Sequence, residues 1–150
     1  STVLVPSLLT PSGVLTRKQP SERHWSDIRY GVRVVRAVGR WDVGQSVVVK
    51  GGVVLAVEAI EGTDAAIRRG AALGKGDVVV VKTSKPGQDL RFDVPAVGRE
   101  TLEVCREAGV AVLALEAGKT LILDRDELIA GADALDIAIV GFDPGAEGDQ

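Results

Sequence analysis

The chain has 150 residues, of which 45% are hydrophobic and 26% are charged, and its formal net charge is −3 at pH 7. This length and composition are those of one compact domain with a sizeable core, which excludes a disordered chain. Only 3% of the residues are aromatic. The chain therefore lacks the basic excess and the stacking side chains of a nucleic-acid-binding domain, and we expect no nucleic-acid partner.

The amino-terminal third predicts an extended segment, a helix and a hairpin. Residues 1–19 contain two of the prolines and no sustained period, so we interpret them as a lead-in, a linker or an edge segment. Apolar residues at helical spacing predict an amphipathic helix that starts at Ser21 and ends at Gly39. The segments SVVVK and VVLAVE then flank Gly51 and Gly52, which is a strong signal for a β-hairpin.

Helices and strands alternate through the rest of the chain. EGTDAAIRRGAAL predicts a short helix capped by Thr63 or Asp64, and DVVVVKT predicts a strand. ETLEVCREAG and RDELIAGADAL predict helices, whereas VAVLALE, TLILD and IAIVGF predict strands. This alternation predicts an α/β fold, with a mixed sheet that includes a β-hairpin and is flanked by helices. We expect residues 1–142 to form a single α/β domain and residues 143–150 to form a flexible tail.

The single cysteine and the single histidine offer little chemistry. Cys105 can form no internal disulfide, which indicates a reducing compartment. Because Cys105 shares helical spacing with Leu102 and Ala108, we expect a small core residue and not a nucleophile. His24 is interpreted in the same way, and no Ser-His-Asp set can be assembled.

The chain shows no targeting or membrane segment. No apolar run approaches the ~20 residues of a membrane span and no signal peptide is recognisable, so we expect a cytosolic domain. The chain has no methionine, even at its first position, which would fit a piece of a longer protein.

Two polar segments follow apolar strands. KTSKPGQDLRFDVPAVG is longer and more polar than a connection requires. Its Lys82, Lys85 and Arg91 would suit recognition of a pyrophosphate, because arginine offers a bidentate grip and lysine a point charge. A second segment, EAIEGTDAAIRRG, carries several acids after another strand. A divalent cation and a phosphate could meet where these segments leave the sheet.

Four carboxylates are candidates for holding that cation, since Mg²⁺ binds carboxylates, waters and phosphate oxygens. They are Glu58, Glu61, Asp64 and Asp93. Glu61 and Asp64 flank a Gly-Thr turn at a helix start, where backbone N–H groups also favour an anion, although capping alone would explain Asp64 equally well. Asp93 lies between two apolar residues and needs a partner, for which a cation, or a salt bridge with Arg91 or Lys85, would serve.

The tetrapeptide AGKT, at Ala117–Thr120, looks like the end of a phosphate-binding P-loop. The glycine-rich cradle of that motif is absent. We therefore interpret Gly118 as a turn residue between two strands and Lys119 as a solvated side chain.

Several separate blocks of the chain resemble one family. The blocks are GVLTRKQPSERHWSDIRYG, GRWDVGQSVVVKGGVVLAVEAIEGTDA, KPGQDLRFDVPAVG and EAGKTLILDRDELI, and they run from about Val14 to Phe142. In order, spacing and composition they resemble the carboxy-terminal domain of the LpxI-type UDP-2,3-diacylglucosamine pyrophosphatases. The resemblance implies a lipid A pathway enzyme that hydrolyses UDP-2,3-diacylglucosamine to the 1-phosphate (lipid X) and UMP. It also implies a divalent cation, Mg²⁺, and a location at the inner face of the cytoplasmic membrane.

The resemblance also implies site residues. Asp93 is the leading catalytic or metal-binding residue, and Glu61 and Asp64 are candidates for the same two roles. The substrate-binding candidates all fall in the matching motifs, and they are Gln45, Thr63, Lys82, Lys85, Gln88 and Arg91.

The family has an amino-terminal domain that has no counterpart in these blocks. The substrate would lie between the two domains, so the isolated domain could be folded yet inactive. The resemblance allows a peripheral membrane contact and a homodimer. The alternative is a non-catalytic module that binds a nucleotide sugar or a lipid phosphate, in which Asp93 would hardly matter.

Overall fold

The structure is a computed structural model that describes residues 9–84, 95–143 and 145. Within these ranges eight strands and four helices occur. The strands are β1 (Gly13–Val14), β2 (Ser46–Lys50), β3 (Val53–Val57), β4 (Val78–Lys82), β5 (Ala96–Val97), β6 (Val110–Glu116), β7 (Leu121–Ile122) and β8 (Ala138–Phe142). The helices are α1 (Glu22–Arg40), α2 (Thr63–Gly74), α3 (Arg99–Ala108) and α4 (Arg125–Ala134).

Six strands form one mixed sheet in the order β1-β8-β6-β4-β2-β3. The central strands β4, β6 and β8 are parallel, whereas β2 is antiparallel to both of its neighbours. Strand β3 therefore runs in the same direction as β4, and β3, β4, β6 and β8 all end at one side of the sheet, which we call the carboxyl edge. The predicted α/β fold, with a mixed sheet, a hairpin and flanking helices, is confirmed.

Helix α1 packs across β2 and β4 on one face of the sheet. It begins as predicted at Ser21, whose side chain accepts a hydrogen bond from the backbone of His24, while the His24 ring accepts one from the Ser21 backbone. This reciprocal arrangement satisfies two backbone donors that a helix start leaves open. The apolar stripe of α1, formed by Ile28, Val32 and Val35, is fully buried.

Helices α2, α3 and α4 cover the opposite face of the sheet. Ile67 of α2 and Cys105 of α3 are fully buried there, together with Val48, Leu113 and Ile139 of the sheet. The prediction that Cys105 is a small core residue is confirmed. Burial raises the pKa of its thiol to about 12, so the thiolate needed for nucleophilic chemistry is absent near neutral pH.

The predicted hairpin joins β2 to β3 through Gly51 and Gly52. Both residues have positive φ, 59° and 78°, a conformation that glycine adopts without a clash of Cβ. The buried carboxylate of Asp27 accepts hydrogen bonds from both glycine N–H groups, at 2.9 and 2.8 Å. The hairpin turn is therefore attached to α1 at the edge opposite the carboxyl edge.

The start of α2 differs from the prediction. Its N-cap is Gly62, which has φ 91° and no side-chain cap, so the expectation that Thr63 or Asp64 caps this helix is wrong. Thr63 is instead the first residue of α2, where its hydroxyl bonds to side chains of the sheet. Tertiary contacts outweigh the local capping preference of threonine.

Short strands lie at the periphery of the fold. β1, within the segment interpreted as a lead-in or an edge, pairs with β8 through Gly13 and Gly141. β5 and β7 form a separate two-stranded parallel sheet. Gly118, with φ 77°, lies in the turn between β6 and β7, as predicted. None of the helices within the described ranges has an apolar stretch long enough to cross a membrane.

Candidate functional site

The carboxyl edge brings together polar side chains that are distant in sequence. Lys82 is the last residue of β4, Glu58 directly follows β3, and Glu116 is the last residue of β6. Each has between 5% and 8% of its surface exposed, although each follows a run of apolar strand residues. In open α/β sheets, ligands bind outside the carboxyl ends of the strands, so this edge is the first place to look for a site.

Four side chains at this edge form a connected network that we call the lysine cluster: Ser46, Glu58, Thr63 and Lys82. Lys82 Nζ donates to Thr63 Oγ1 at 3.1 Å, and Thr63 Oγ1 donates to Glu58 Oε1 at 2.9 Å. Ser46 Oγ donates to the same Glu58 oxygen at 2.6 Å. Burial lowers the pKa of Lys82, while the negative charges of Glu58 and Asp64 act in the opposite direction.

The lysine cluster holds the Lys82 ammonium beside a helix start. Thr63 both accepts from Lys82 and donates to Glu58, so its hydroxyl is fully oriented. An ammonium group has three donors, of which Thr63 takes one. The amino end of α2 adds backbone N–H groups that receive no side-chain cap. A buried ammonium next to such a helix start is suited to binding the oxygens of a phosphate group.

Glu116 is a residue of this edge that sequence reasoning missed. Its Oε1 accepts three hydrogen bonds: from the Thr83 hydroxyl, from the Ser84 backbone at 3.0 Å and from the Ser84 hydroxyl at 3.0 Å. Lys119 Nζ lies 4.0 Å from the other carboxylate oxygen, so the half-exposed Lys119 forms an ion pair with the buried Glu116. The available signal was an acid at the end of the otherwise apolar strand VAVLALE.

Glu61 has local partners. Its Oε1 accepts a hydrogen bond from the Ala59 backbone at 2.6 Å, and its Oε2 pairs with Arg69 at 3.2 Å. The Ala59 hydrogen bond, together with the charge of Arg69, lowers the pKa of the Glu61 carboxyl. Asp64, in the first turn of α2, is half-buried on the Lys82 side of the helix start. Of the predicted acids, Glu58 is therefore part of the lysine cluster, and the charge of Asp64 also acts on Lys82.

The remaining predicted site residues divide into two groups. Gln45 lies at the carboxyl edge, where its backbone carbonyl accepts a hydrogen bond from the Thr83 backbone N–H at 2.9 Å. The described residues thus bring Gln45, Thr63, Asp64 and Lys82 to one edge. Within residues 9–84, 95–143 and 145, no three acidic, histidine or cysteine side chains are grouped closely enough to hold a metal ion. Four predicted residues lie outside the described ranges, namely Lys85, Gln88, Arg91 and Asp93.

The protein is an α/β domain with a mixed sheet, and the buried lysine beside a helix start at its carboxyl edge is an arrangement suited to phosphate-containing ligands. A family model described as the LpxI C-terminal domain matches residues 11–140. The chain belongs to this family, which confirms the resemblance found in the sequence.

A curated relative extends this comparison. The chain is 42% identical over 142 residues to the UDP-2,3-diacylglucosamine pyrophosphatase LpxI of Caulobacter vibrioides. The similarity covers 89% of this chain and 51% of that protein. The chain thus spans about half the length of the curated relative it matches.

Proposed function

We propose that this chain is the carboxy-terminal domain of an enzyme that hydrolyses the pyrophosphate bond of UDP-2,3-diacylglucosamine. The products would be 2,3-diacylglucosamine 1-phosphate (lipid X) and UMP, in lipid A biosynthesis. The observation that carries the proposal is the coincidence of two facts. The chain is 42% identical to a relative that is named for this activity, and a buried ammonium lies beside a helix start at the carboxyl edge.

In this proposal Lys82 binds an oxygen of the pyrophosphate. The backbone N–H groups at the start of α2 stabilise the charge that develops as the phosphorus–oxygen bond breaks. Thr63 and Glu58 act as positioning residues: the Thr63 hydroxyl accepts a hydrogen bond from the Lys82 ammonium, and Glu58 orients that hydroxyl by accepting its hydrogen bond. Gln45, Lys85, Gln88 and Arg91 remain proposed substrate-binding residues.

We also propose Mg²⁺ as the cofactor. Asp64 is a half-buried carboxylate beside the lysine cluster, and Mg²⁺ requires only one or two carboxylates in addition to waters and phosphate oxygens. Asp64 and Asp93 would hold the ion, with Asp93 as the leading catalytic residue. Glu61 is a weaker candidate, since both of its oxygens already have partners. When bound, Mg²⁺ would neutralise negative charge on the diphosphate.

The location and partners belong to the same proposal. The substrate carries two acyl chains, so the enzyme would work at the inner face of the cytoplasmic membrane, in peripheral contact with it. An amino-terminal domain would complete the substrate pocket, since the chain spans about half of its relative.

The direct test is release of UMP from UDP-2,3-diacylglucosamine, with and without Mg²⁺, by this chain and by a protein extended with the natural upstream sequence. We expect activity in the extended protein that disappears in Asp93→Ala and in Lys82→Met. Activity that persists in both variants would refute the site assignment. If the folded extended protein binds the substrate in a calorimetric titration but releases no UMP, the chain is a binding module.

A further inference from the structure

Four arginines of α1 lie on one side of the helix, and we call them the arginine stripe: Arg29, Arg33, Arg36 and Arg40. At about 100° per residue, they fall within a sector of about 60°, whose centre lies about 100° around the helix from the centre of the buried apolar stripe. Three of them are exposed and Arg36 is half-buried. On a chain of net charge −3, this stripe is a concentrated patch of positive charge. The acids of α1 lie elsewhere: Glu22 at its first turn, and Asp27 buried under the helix.

Exposed apolar side chains follow the stripe at its carboxyl end. Trp41, directly after α1, is 83% exposed, and Val43 is 47% exposed. Ile60, two residues after Glu58, is fully exposed. We call these three side chains the apolar rim. When large apolar side chains are this exposed and grouped together, they commonly mark a surface that contacts a membrane or another protein.

The apolar rim lies next to the candidate site. Gly44 approaches Glu58 so closely that a Cβ atom on Gly44 would lie 1.9 Å from the Glu58 carbonyl oxygen. Val43 and Ile60 each lie within two residues of this contact. The opposite end of α1 is far away, because Arg23 contacts Asp77, which precedes β4. The arginine stripe therefore leads along α1 to the carboxyl edge, on the face of the sheet opposite α2.

We propose that the arginine stripe and the apolar rim form a docking surface for an anionic lipid bilayer. Each arginine near an anionic membrane surface strengthens binding about fivefold, and tryptophan is enriched at the depth of the headgroups. A protein or nucleic-acid partner would account for the arginines alone. The exposed side chains of Trp41, Val43 and Ile60 at the end of the basic stripe favour a lipid bilayer, which has charged headgroups at its surface and an apolar interior. The inference rests on the proposed function in one respect, namely that a diacyl substrate resides in such a bilayer.

Docking in this orientation has a consequence for the site. Trp41 and the first residues of β2 would face the headgroups, so the carboxyl edge with Lys82 would lie at the level where the phosphates of a lipid are found. A lipid substrate would then reach the lysine cluster without leaving the membrane surface.

The experiment measures binding of the 150-residue chain to phosphatidylcholine vesicles with and without phosphatidylglycerol. We expect binding that needs phosphatidylglycerol, weakens with added salt, and falls roughly 30-fold in the Arg29→Ala, Arg40→Ala double variant. Trp41→Ser should also weaken binding. The matched control is the Arg68→Ala, Arg106→Ala double variant, which removes the same charge from α2 and α3 on the other face and should bind like the parent chain.

Equal binding to neutral and anionic vesicles, or equal loss in the control variant, would overturn the proposal. An absence of vesicle binding would also overturn the proposal. This holds even if the arginine variants impair binding to DNA or assembly with the upstream domain, because those results would assign the stripe to another partner. UMP release from detergent-dispersed substrate is measured separately in the extended protein. Retained hydrolysis without vesicle binding would refute the docking surface alone, and vesicle binding without hydrolysis would refute the enzyme proposal alone.

Discussion

Lys82 Nζ and Thr63 Oγ1 lie 3.1 Å apart and join the end of β4 to the first turn of α2. Strand β4 and helix α2 are each held in place by packing against the core. The hydrogen bond between the two residues therefore fixes a buried charge where the strand and the helix meet. A ligand phosphate placed there would find the ammonium already oriented.

Replacing Lys82 with methionine tests whether this charge is functional. Burial of an ammonium is unfavourable, so Lys82→Met should leave the free energy of unfolding unchanged or raise it, while UMP release by the extended protein falls at least about 100-fold. Denaturant unfolding and a UMP assay measure the two quantities. Lys119→Met, at a half-exposed lysine of the β6–β7 turn, is the matched control and should retain activity. Severe destabilisation by Lys82→Met would show that the lysine serves the fold instead.

Glu116 should matter for the local structure after β4. Glu116→Ala removes the acceptor of Thr83 and Ser84 and leaves buried donors unsatisfied, at a cost of about 1–3 kcal/mol. Glu116→Gln keeps one carbonyl acceptor and should cost less. Chemical denaturation gives the free energies, and hydrogen exchange at the Ser84 amide should accelerate in both variants. Glu107→Ala, at an exposed acid of α3, is the control; an equal loss there would contradict the assignment.

The comparison between Glu61 and Glu116 shows what the sequence could and could not predict. Helices and the hairpin follow from local signals, such as the spacing in α1 and the Gly51-Gly52 pair, and these were found. A carboxylate in a polar segment attracts attention in a sequence, yet Glu61 pairs with its own turn and with Arg69. Glu116 looked like the end of an apolar strand. Its partners lie more than 30 residues away, and only the order of strands in the sheet brings them together.

The same limit applies to the lysine cluster. Thr63 looked like a helix cap, since threonine favours that position for local reasons. Its actual partners are Glu58, which directly follows β3, and Lys82, the last residue of β4, and β2 separates these two strands in the sheet. Sheet order depends on long-range pairing, and no local pattern near Thr63 encodes it. Lys82 was nevertheless predicted as a site residue, because it belongs to the polar segment that follows an apolar strand and falls in the motifs that resemble the family.

Asp77 should give a pH-dependent contribution to stability at the edge opposite the site. Burial opposes its ionisation, but the hydrogen bond with His24 and the charge of Arg23 outweigh this and lower the pKa of Asp77 below 3.8. The stabilisation is therefore present above pH 3.8 and is lost as the pH falls through the lowered pKa. It should be under about 1 kcal/mol, since the side chain is more than half exposed.

The measurement is the difference in unfolding free energy between the parent chain and Asp77→Asn as a function of pH. The difference should shrink as the pH is lowered below 3.8. Asp136→Asn is the control, because Asp136 has a similar left-handed backbone, with φ 56° against 53° for Asp77. A difference for Asp77→Asn that stays constant on acidification would contradict the ion-pair account.

Gly70 should tolerate no side chain. A Cβ atom there would lie 2.6 Å from Val48 Cβ, in the layer where α2 meets β2, and the strand cannot move aside easily. We expect Gly70→Ala to destabilise the fold by about 1–3 kcal/mol despite the better helix propensity of alanine. Gly131→Ala in α4 meets only the movable end of Leu102, at 2.9 Å, and should be close to neutral. Thermal unfolding of both variants distinguishes the cases, and equal shifts would argue against close packing at Gly70.

Cys105 should resist alkylation while the protein is folded. Its pKa of about 12 and its complete burial leave almost no accessible thiolate at pH 8. Mass spectrometry after iodoacetamide treatment should show no adduct in the native chain and a single adduct in denaturant. Rapid modification of the native chain would mean that α3 opens readily.

The pairing of β1 with β8 constrains how the molecule reaches its final form. Gly13 pairs with Gly141, and Thr16 Oγ1 accepts a hydrogen bond from the backbone of Ile139, 123 residues further along the chain. During synthesis on the ribosome, Gly13 and Thr16 cannot form these contacts until β8 has emerged. Contacts of such high sequence separation slow folding, because a large loop must be closed before they form. Strand β1 is thus expected to join the large sheet last. A nascent chain stalled before β8 would leave both β1 and the unpaired edge of β6 open to mispairing.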